Sequence, residues 1–137
     1  MKTAVRYYSR GGSTRKLAEA IGKAVGVEAK TTDTPLTEKV DVLFLGSAVY
    51  AAGVDDRVKA FINGLDPAKV GKVVNFSTAA LIPSTYGQVQ KLLAEKKIPL
   101  DEKEFHCRGQ FMFMHRGKPD AADLENCAKF AKQIVKG

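Results

Sequence analysis

Three hydroxyl side chains, Ser9, Ser13 and Thr14, lie close together around the pair Gly11-Gly12, in the run Tyr7-Tyr8-Ser9-Arg10-Gly11-Gly12-Ser13-Thr14-Arg15-Lys16. These residue types hold an anion rather than make a bond. Glycine lets the backbone approach a ligand closely. A helix that starts here leaves its first amides unpaired and brings the positive end of its dipole to the same place. That combination favours a phosphate group. The run lacks both the G-x-x-x-x-G-K-[ST] and the G-x-G-x-x-G pattern. No carboxylate cluster accompanies it, which argues against a phospho-acceptor domain. The competing reading is a capped turn with Ser13 as N-cap and no ligand.

Two further segments have suitable chemistry. Gly46-Ser47-Ala48-Val49-Tyr50-Ala51-Ala52-Gly53 surrounds one aromatic with small residues. The Tyr50 ring either packs on its own domain or covers a planar ligand, where stacking adds about 0.5–1.5 kcal/mol beyond area burial. Phe76-Ser77-Thr78-Ala79-Ala80-Leu81-Ile82-Pro83-Ser84-Thr85 begins small and polar, and its amides suit the polar edge of a flat heterocycle.

The elements that must position these segments follow from hydrophobic periodicity. The pattern predicts strands at Thr3–Tyr8, Val27–Thr31, Val40–Gly46 and Val70–Ser77, and a fifth containing Phe105 and Cys107. It predicts helices at Ser13–Val25, Val54–Leu65, Thr85–Lys97 and Asp120–Lys136, the last with Asp120 as N-cap and Asp123 at its third position. Alternating strands and helices imply an α/β domain with a mainly parallel sheet and right-handed crossovers. Ligands of such sheets bind beyond the carboxyl ends of the strands, where the strand order reverses. Loops Ser9–Thr14, Ser47–Val54 and Thr78–Thr85 should therefore converge.

The chain resembles the flavodoxin family nearly end to end. Ser9-Arg10-Gly11-Gly12-Ser13-Thr14 is similar to that family's [ST]-x-T-G-[NS]-T phosphate loop, with Gly11 in place of a threonine. Gly46-Ser47 through Tyr50 resembles its first flavin-flanking loop, here without tryptophan. Phe105-His106-Cys107-Arg108-Gly109 and Arg116-Gly117-Lys118-Pro119-Asp120 resemble the C-terminal part of short-chain members. The resemblance implies a three-layer sandwich whose five-stranded parallel sheet has the order 2-1-3-4-5. It implies FMN as cofactor and electron transfer as function. Ser9, Arg10, Gly11, Gly12, Ser13 and Thr14 would hold the phosphate, and Tyr50 would stack on the ring. Ser47, Ala48, Ala51 and Gly53 would shape the loop beside it, and Ser77, Thr78 and Ala79 would lie against the pyrimidine end. The partner would be another redox protein. Two alternatives stand beside this: a binding protein on the same scaffold with weak flavin affinity, and a small FMN-dependent quinone or porphyrinogen reductase.

Composition narrows the setting. At 137 residues one domain, 1–137, is expected. The net charge of +7 is uneven: residues 1–30 carry seven basic and two acidic side chains, residues 31–70 four and six, residues 71–137 eleven and seven. No aromatics interleave with the basic residues as in single-strand binders, so a solvated basic surface is expected rather than nucleic-acid binding. No apolar run reaches a membrane span, and Met1-Lys2-Thr3-Ala4-Val5 lacks a signal-peptide pattern, so a cytoplasmic location is expected. Cys107 and Cys127 are read as reduced structural thiols. His106 and Cys107, adjacent on a strand, should face opposite sides and not share a metal. Phe111-Met112-Phe113-Met114 reads first as a strand extension or core cap, second as a partner surface such as a homodimer interface. Arg6, in a central strand, must find partners or reach an edge.

Overall fold

The computed structural model describes residues 1–9, 12–49, 54–79, 85–108, 117 and 119–136. Its strands are β1 (Thr3–Tyr7), β2 (Ala29–Thr31), β3 (Val40–Val49), β4 (Val70–Ala79) and β5 (Phe105–Arg108). Its helices are α1 (Ser13–Val25), α2 (Asp56–Asn63), α3 (Tyr86–Glu95) and α4 (Ala121–Lys136), with a 3-10 turn at Pro67–Lys69. The strands form one parallel sheet in the order β2-β1-β3-β4-β5, as the sequence implied. The order reverses between β1 and β3, which sets their carboxyl ends apart as a crevice.

Side-chain alternation divides the sheet into two buried faces. Val5, Tyr7, Val42, Phe44, Val74 and Phe76 point towards α1 and α4, meeting Leu17, Ile21, Cys127 and Ala131. Leu43, Leu45 and Val73 point the other way, towards Val58 and Ile62 of α2 and Val89 and Leu93 of α3. Both sides of the inner strands are covered, so β3 and β4 read as near-continuous apolar runs. At Gly46 the Phe76 ring lies where a Cβ would stand, 2.3 Å from the ideal position. Only glycine admits that ring.

The connection from β2 to β3, residues 32–39, crosses the α2 side of the sheet without a helix. Arg6 explains how the sheet is covered there. Its guanidinium lies under the crossing chain, donating from Nε to the Thr34 carbonyl (2.8 Å) and from Nη1 to the Val5 carbonyl (3.0 Å). The side chain is only 8% exposed, and burial lowers its pKa. The charge is thus hydrogen-bonded rather than stranded.

Three sequence boundaries need correction. The β3 and β4 ladders extend beyond Gly46 and Ser77, through Ser47↔Ser77, Ala48↔Thr78 and Val49↔Ala79. Apolar patterning ends before the backbone pairing does, because small polar side chains take over the buried positions. Ser47, Ala48, Thr78 and Ala79 are therefore strand residues rather than loop residues. Helix α2 starts at Asp56, because Asp55 caps it by accepting from the Arg57 amide (2.9 Å). Helix α4 opens as expected, with a reciprocal box: Asp123 N donates to Asp120 Oδ1 (2.9 Å) and Asp120 N to Asp123 Oδ2 (3.0 Å). Among the described residues no helix is long and apolar enough to cross a membrane.

Candidate functional site

The site is built at the carboxyl ends of β1, β3 and β4. Ser9 follows β1, and its Oγ accepts from the Gly12 amide at 2.9 Å. That bond folds the turn back on itself and leaves Gly12 at φ 90°, a left-handed conformation that suits glycine. Gly12, not Ser13, is the N-cap of α1; Ser13 is already helical. The capped turn built on Ser13 is thereby replaced. The first intrahelical bond runs from Lys16 N to the Gly12 carbonyl (3.1 Å). Gly12 has no side chain with which to cap α1, no acidic residue lies in its first turn, and Arg15 there pairs with Glu19 (Nε to Oε1 2.8 Å) ahead of Lys16. A helix start of this kind, with its dipole, suits a dianionic phosphate.

Behind the turn lies a buried polar cluster. Thr14 Oγ1 is 2.8 Å from Thr78 Oγ1 and donates more weakly to the Ser47 carbonyl (3.4 Å). On the opposite face of the sheet, Ser47 Oγ donates to Thr85 Oγ1 (2.9 Å) and Asn75 Nδ2 lies 3.1 Å from the same oxygen. The Thr85 amide donates to Ser77 Oγ (3.3 Å), and Asn75 Nδ2 also reaches Glu104 Oε2 (3.3 Å). Thr14, Ser47, Asn75, Ser77, Thr78 and Thr85 are all buried. An unbonded group at such a site would cost about 1–3 kcal/mol by mutational measures. Mutual bonding removes that cost and fixes the strand ends.

The structure thus brings Ser9, Gly12, Ser13, Thr14, Ser47, Ala48, Ser77 and Thr78 to one sheet edge, with Ala79 next on β4. The hydroxyls of Thr14, Ser47, Ser77 and Thr78 are engaged within the protein. Arg10, Gly11, Tyr50, Ala51 and Gly53, together with the Phe111–Met114 cluster, lie outside the described residues. Asn75, Thr85, Gln88 and Glu104 are absent from the sequence-derived set. Gln88 Oε1 accepts from Val54 N (2.7 Å), tying the end of the second loop to α3. The usable signal was Asn75, an amide inside an apolar strand run.

Charge near the edge is mixed. Asp55 and Asp56 stand at the start of α2, and the Arg57 guanidinium lies 4.9 Å from the Tyr8 ring centroid. Tyr86 donates its hydroxyl to the Asp101 carbonyl (3.1 Å), and burial, then Glu102, Glu104 and Asp101, raise its pKa. His106 Nδ1 sits 2.6 Å from Glu104 Oε1, while Cys107 packs with the α1–α4 face, so the two neighbours do part. A cavity of about 480 Å³ lies elsewhere, between the helix-free crossover and α2, lined by Leu36, Arg57, Phe61 and Leu65 among others.

No family model matches the chain, and no curated protein matches its sequence. Solved structures match its fold. A flavodoxin from the domain Archaea superposes with a TM-score of 0.78 at 16% identity, over 99% of this chain and 97% of its own. Oxidised Flavodoxin 2 from Bacillus cereus gives 0.73 at 17% identity, covering 99% of each chain. The rubredoxin oxygen:oxidoreductase of Desulfovibrio gigas gives 0.77 at 14% identity, over 98% of this chain but only 35% of its own. The architecture is the flavodoxin-like fold, and the shared part spans about a third of the Desulfovibrio gigas protein.

Proposed function

We propose that this chain is an FMN-binding electron-transfer protein that works in the cytoplasm with a redox partner protein. The carrying observation is the start of α1: a glycine N-cap in left-handed conformation and no acidic residue in the first turn, placed where the strand order reverses. Likeness of fold to flavodoxins points the same way.

When bound, FMN supplies one-electron chemistry that no side chain here can supply. The chain binds and orients. The amides opening α1 hold the phosphate, with Ser9 fixing the turn and Arg10 and Gly11 completing the loop. Thr14 and Thr78 lock that helix to β4. Ser47, Ala48 and Ser77 end the strands on either side of the ring, with Tyr50 as the stacking aromatic and Ala51, Gly53 and Ala79 lining the approach. The residues gathered at this edge bind rather than react: they are hydroxyls, amides and small side chains, as a carrier needs.

The test is the visible spectrum of the purified protein before and after adding FMN, with titration of FMN fluorescence. We expect flavin absorbance and quenching at micromolar protein. A colourless protein that leaves FMN fluorescence unchanged would make this scaffold a binding protein of another kind.

A further inference from the structure

Thr85 stands at the N-cap of α3, where a threonine hydroxyl ordinarily accepts from the helix's first amides. Here it does not: no side-chain cap bond is made at this helix. The hydroxyl is instead turned inward, accepting from Ser47 Oγ at 2.9 Å and lying 3.1 Å from Asn75 Nδ2, while the Thr85 amide donates to Ser77 Oγ at 3.3 Å. One buried residue is therefore bonded to the last turns of both β3 and β4. The amide of Asn75 is held on its far side by Glu104 Oε2 (3.3 Å). Ser47 carries the connection on, because its carbonyl accepts from Thr14 Oγ1 at the start of α1. The ends of α1, β3, β4 and α3 are joined through Ser47 and Thr85.

We infer that Thr85 is a positioning residue for the flavin, fixing the ends of β3 and β4 against each other at the sheet edge where the ring would lie. The inference rests on the FMN reading. Thr85 acts through Ser47, Ser77 and Asn75. The helix has given up a cap to make these bonds. The hydroxyl serves the ends of β3 and β4 rather than its own helix. Strand ends held to within a few tenths of an ångström are what an apolar, planar ligand needs on both faces, since stacking is lost as the two walls diverge.

The decisive comparison is Thr85→Val, which keeps the shape and deletes the hydroxyl, against Thr85→Ser, which keeps the hydroxyl. Both are measured at a temperature where far-UV circular dichroism shows the FMN-free protein folded. The readouts are the FMN dissociation constant and the visible-region circular dichroism of bound FMN, which reports the asymmetry around the ring. We expect Thr85→Val to bind FMN about tenfold more weakly, as loss of the hub's bonds implies, with an altered visible spectrum. Thr85→Ser should stay within about twofold of the parent. If Thr85→Val does not fold, Ser47→Ala removes the shortest of the ties and leaves little void. It should weaken binding by about threefold with the same spectral change. A folded Thr85→Val with parental affinity and spectrum overturns the inference, as does a parental Ser47→Ala where it must stand in. These outcomes leave FMN binding by the parent intact. A parent that fails to bind FMN overturns the function and this inference together.

Discussion

Cys127 shows how far one buried residue can report on folding. Its thiol is fully buried between α4 and α1, with Sγ 3.9 Å from the Leu17 carbonyl. Burial, then the neighbouring Cys107 charge, pushes its pKa up to about 12 from an ordinary 9.0. The sign of the linkage follows. Below pH 9 the thiol is protonated whether the chain is folded or not, so it has no effect. Between 9 and about 12 the unfolded thiol ionises while the folded one keeps its proton. The unfolded state then gains, and stability falls as pH rises, by at most about 1.4 kcal/mol per pH unit. Urea unfolding at pH 8 and pH 10.5 should show this loss, and Cys127→Ala should lose that part of the slope while being less stable at both. An equal slope in the variant would place the pH dependence elsewhere. The same burial makes Cys127 inert to alkylation at pH 8 until the chain unfolds.

At the scale of elements, α4 opens on the Asp120–Asp123 box, which satisfies the amides of both residues just after Pro119. Asp120→Ala should reduce unfolding stability by about 1 kcal/mol, seen as a lower urea midpoint with an unchanged slope. A midpoint equal to the parent's would show that the helix is held by packing alone. This box was legible in the sequence, since Pro119, Asp120 and Asp123 precede an apolar stripe at helical spacing. So was the sheet order, once strand and helix alternation was combined with the family resemblance. The strand ends were not. Periodicity registers burial through apolar side chains, and at Ser47, Ser77 and Thr78 the buried side chains are hydroxyls bonded to Thr14 and Thr85 at the starts of α1 and α3. Thr85 escaped for the same reason: periodicity takes it as the first residue of a helix, and only the fold shows its hydroxyl turned towards the strand ends. Arg6 was half legible. Its need for partners was evident, but the Thr34 carbonyl became available only because residues 32–39 cross the sheet without a helix.

At the scale of the whole molecule, charge would set how FMN behaves at the proposed site. The chain carries 22 Lys and Arg against 15 Asp and Glu, and the first turn of α1 holds Arg15 and Lys16 with no acid. Were FMN bound, its second reduction would place negative charge on the isoalloxazine ring. An acidic protein opposes that step; a basic one favours it. Asp55 and Asp56 at the start of α2 retain some local opposition, and Asp55 is already committed to the Arg57 amide. The surplus of seven positive charges acts from farther away, where each contributes little individually and salt weakens it over a Debye length of about 10 Å at 0.1 M. The second potential should therefore be less negative than an acidic surface would make it, by about 60 mV for every 1.4 kcal/mol of net stabilisation. The salt dependence carries the sign. If the basic surface holds the potential up, screening must lower it, so spectroelectrochemical titration at 20 mM and at about 500 mM salt should give the more negative value at high salt. An acidic flavin environment would give the reverse. A second potential that rises with salt would assign control to Asp55 and Asp56, and the basic surface would then have no part in tuning the cofactor.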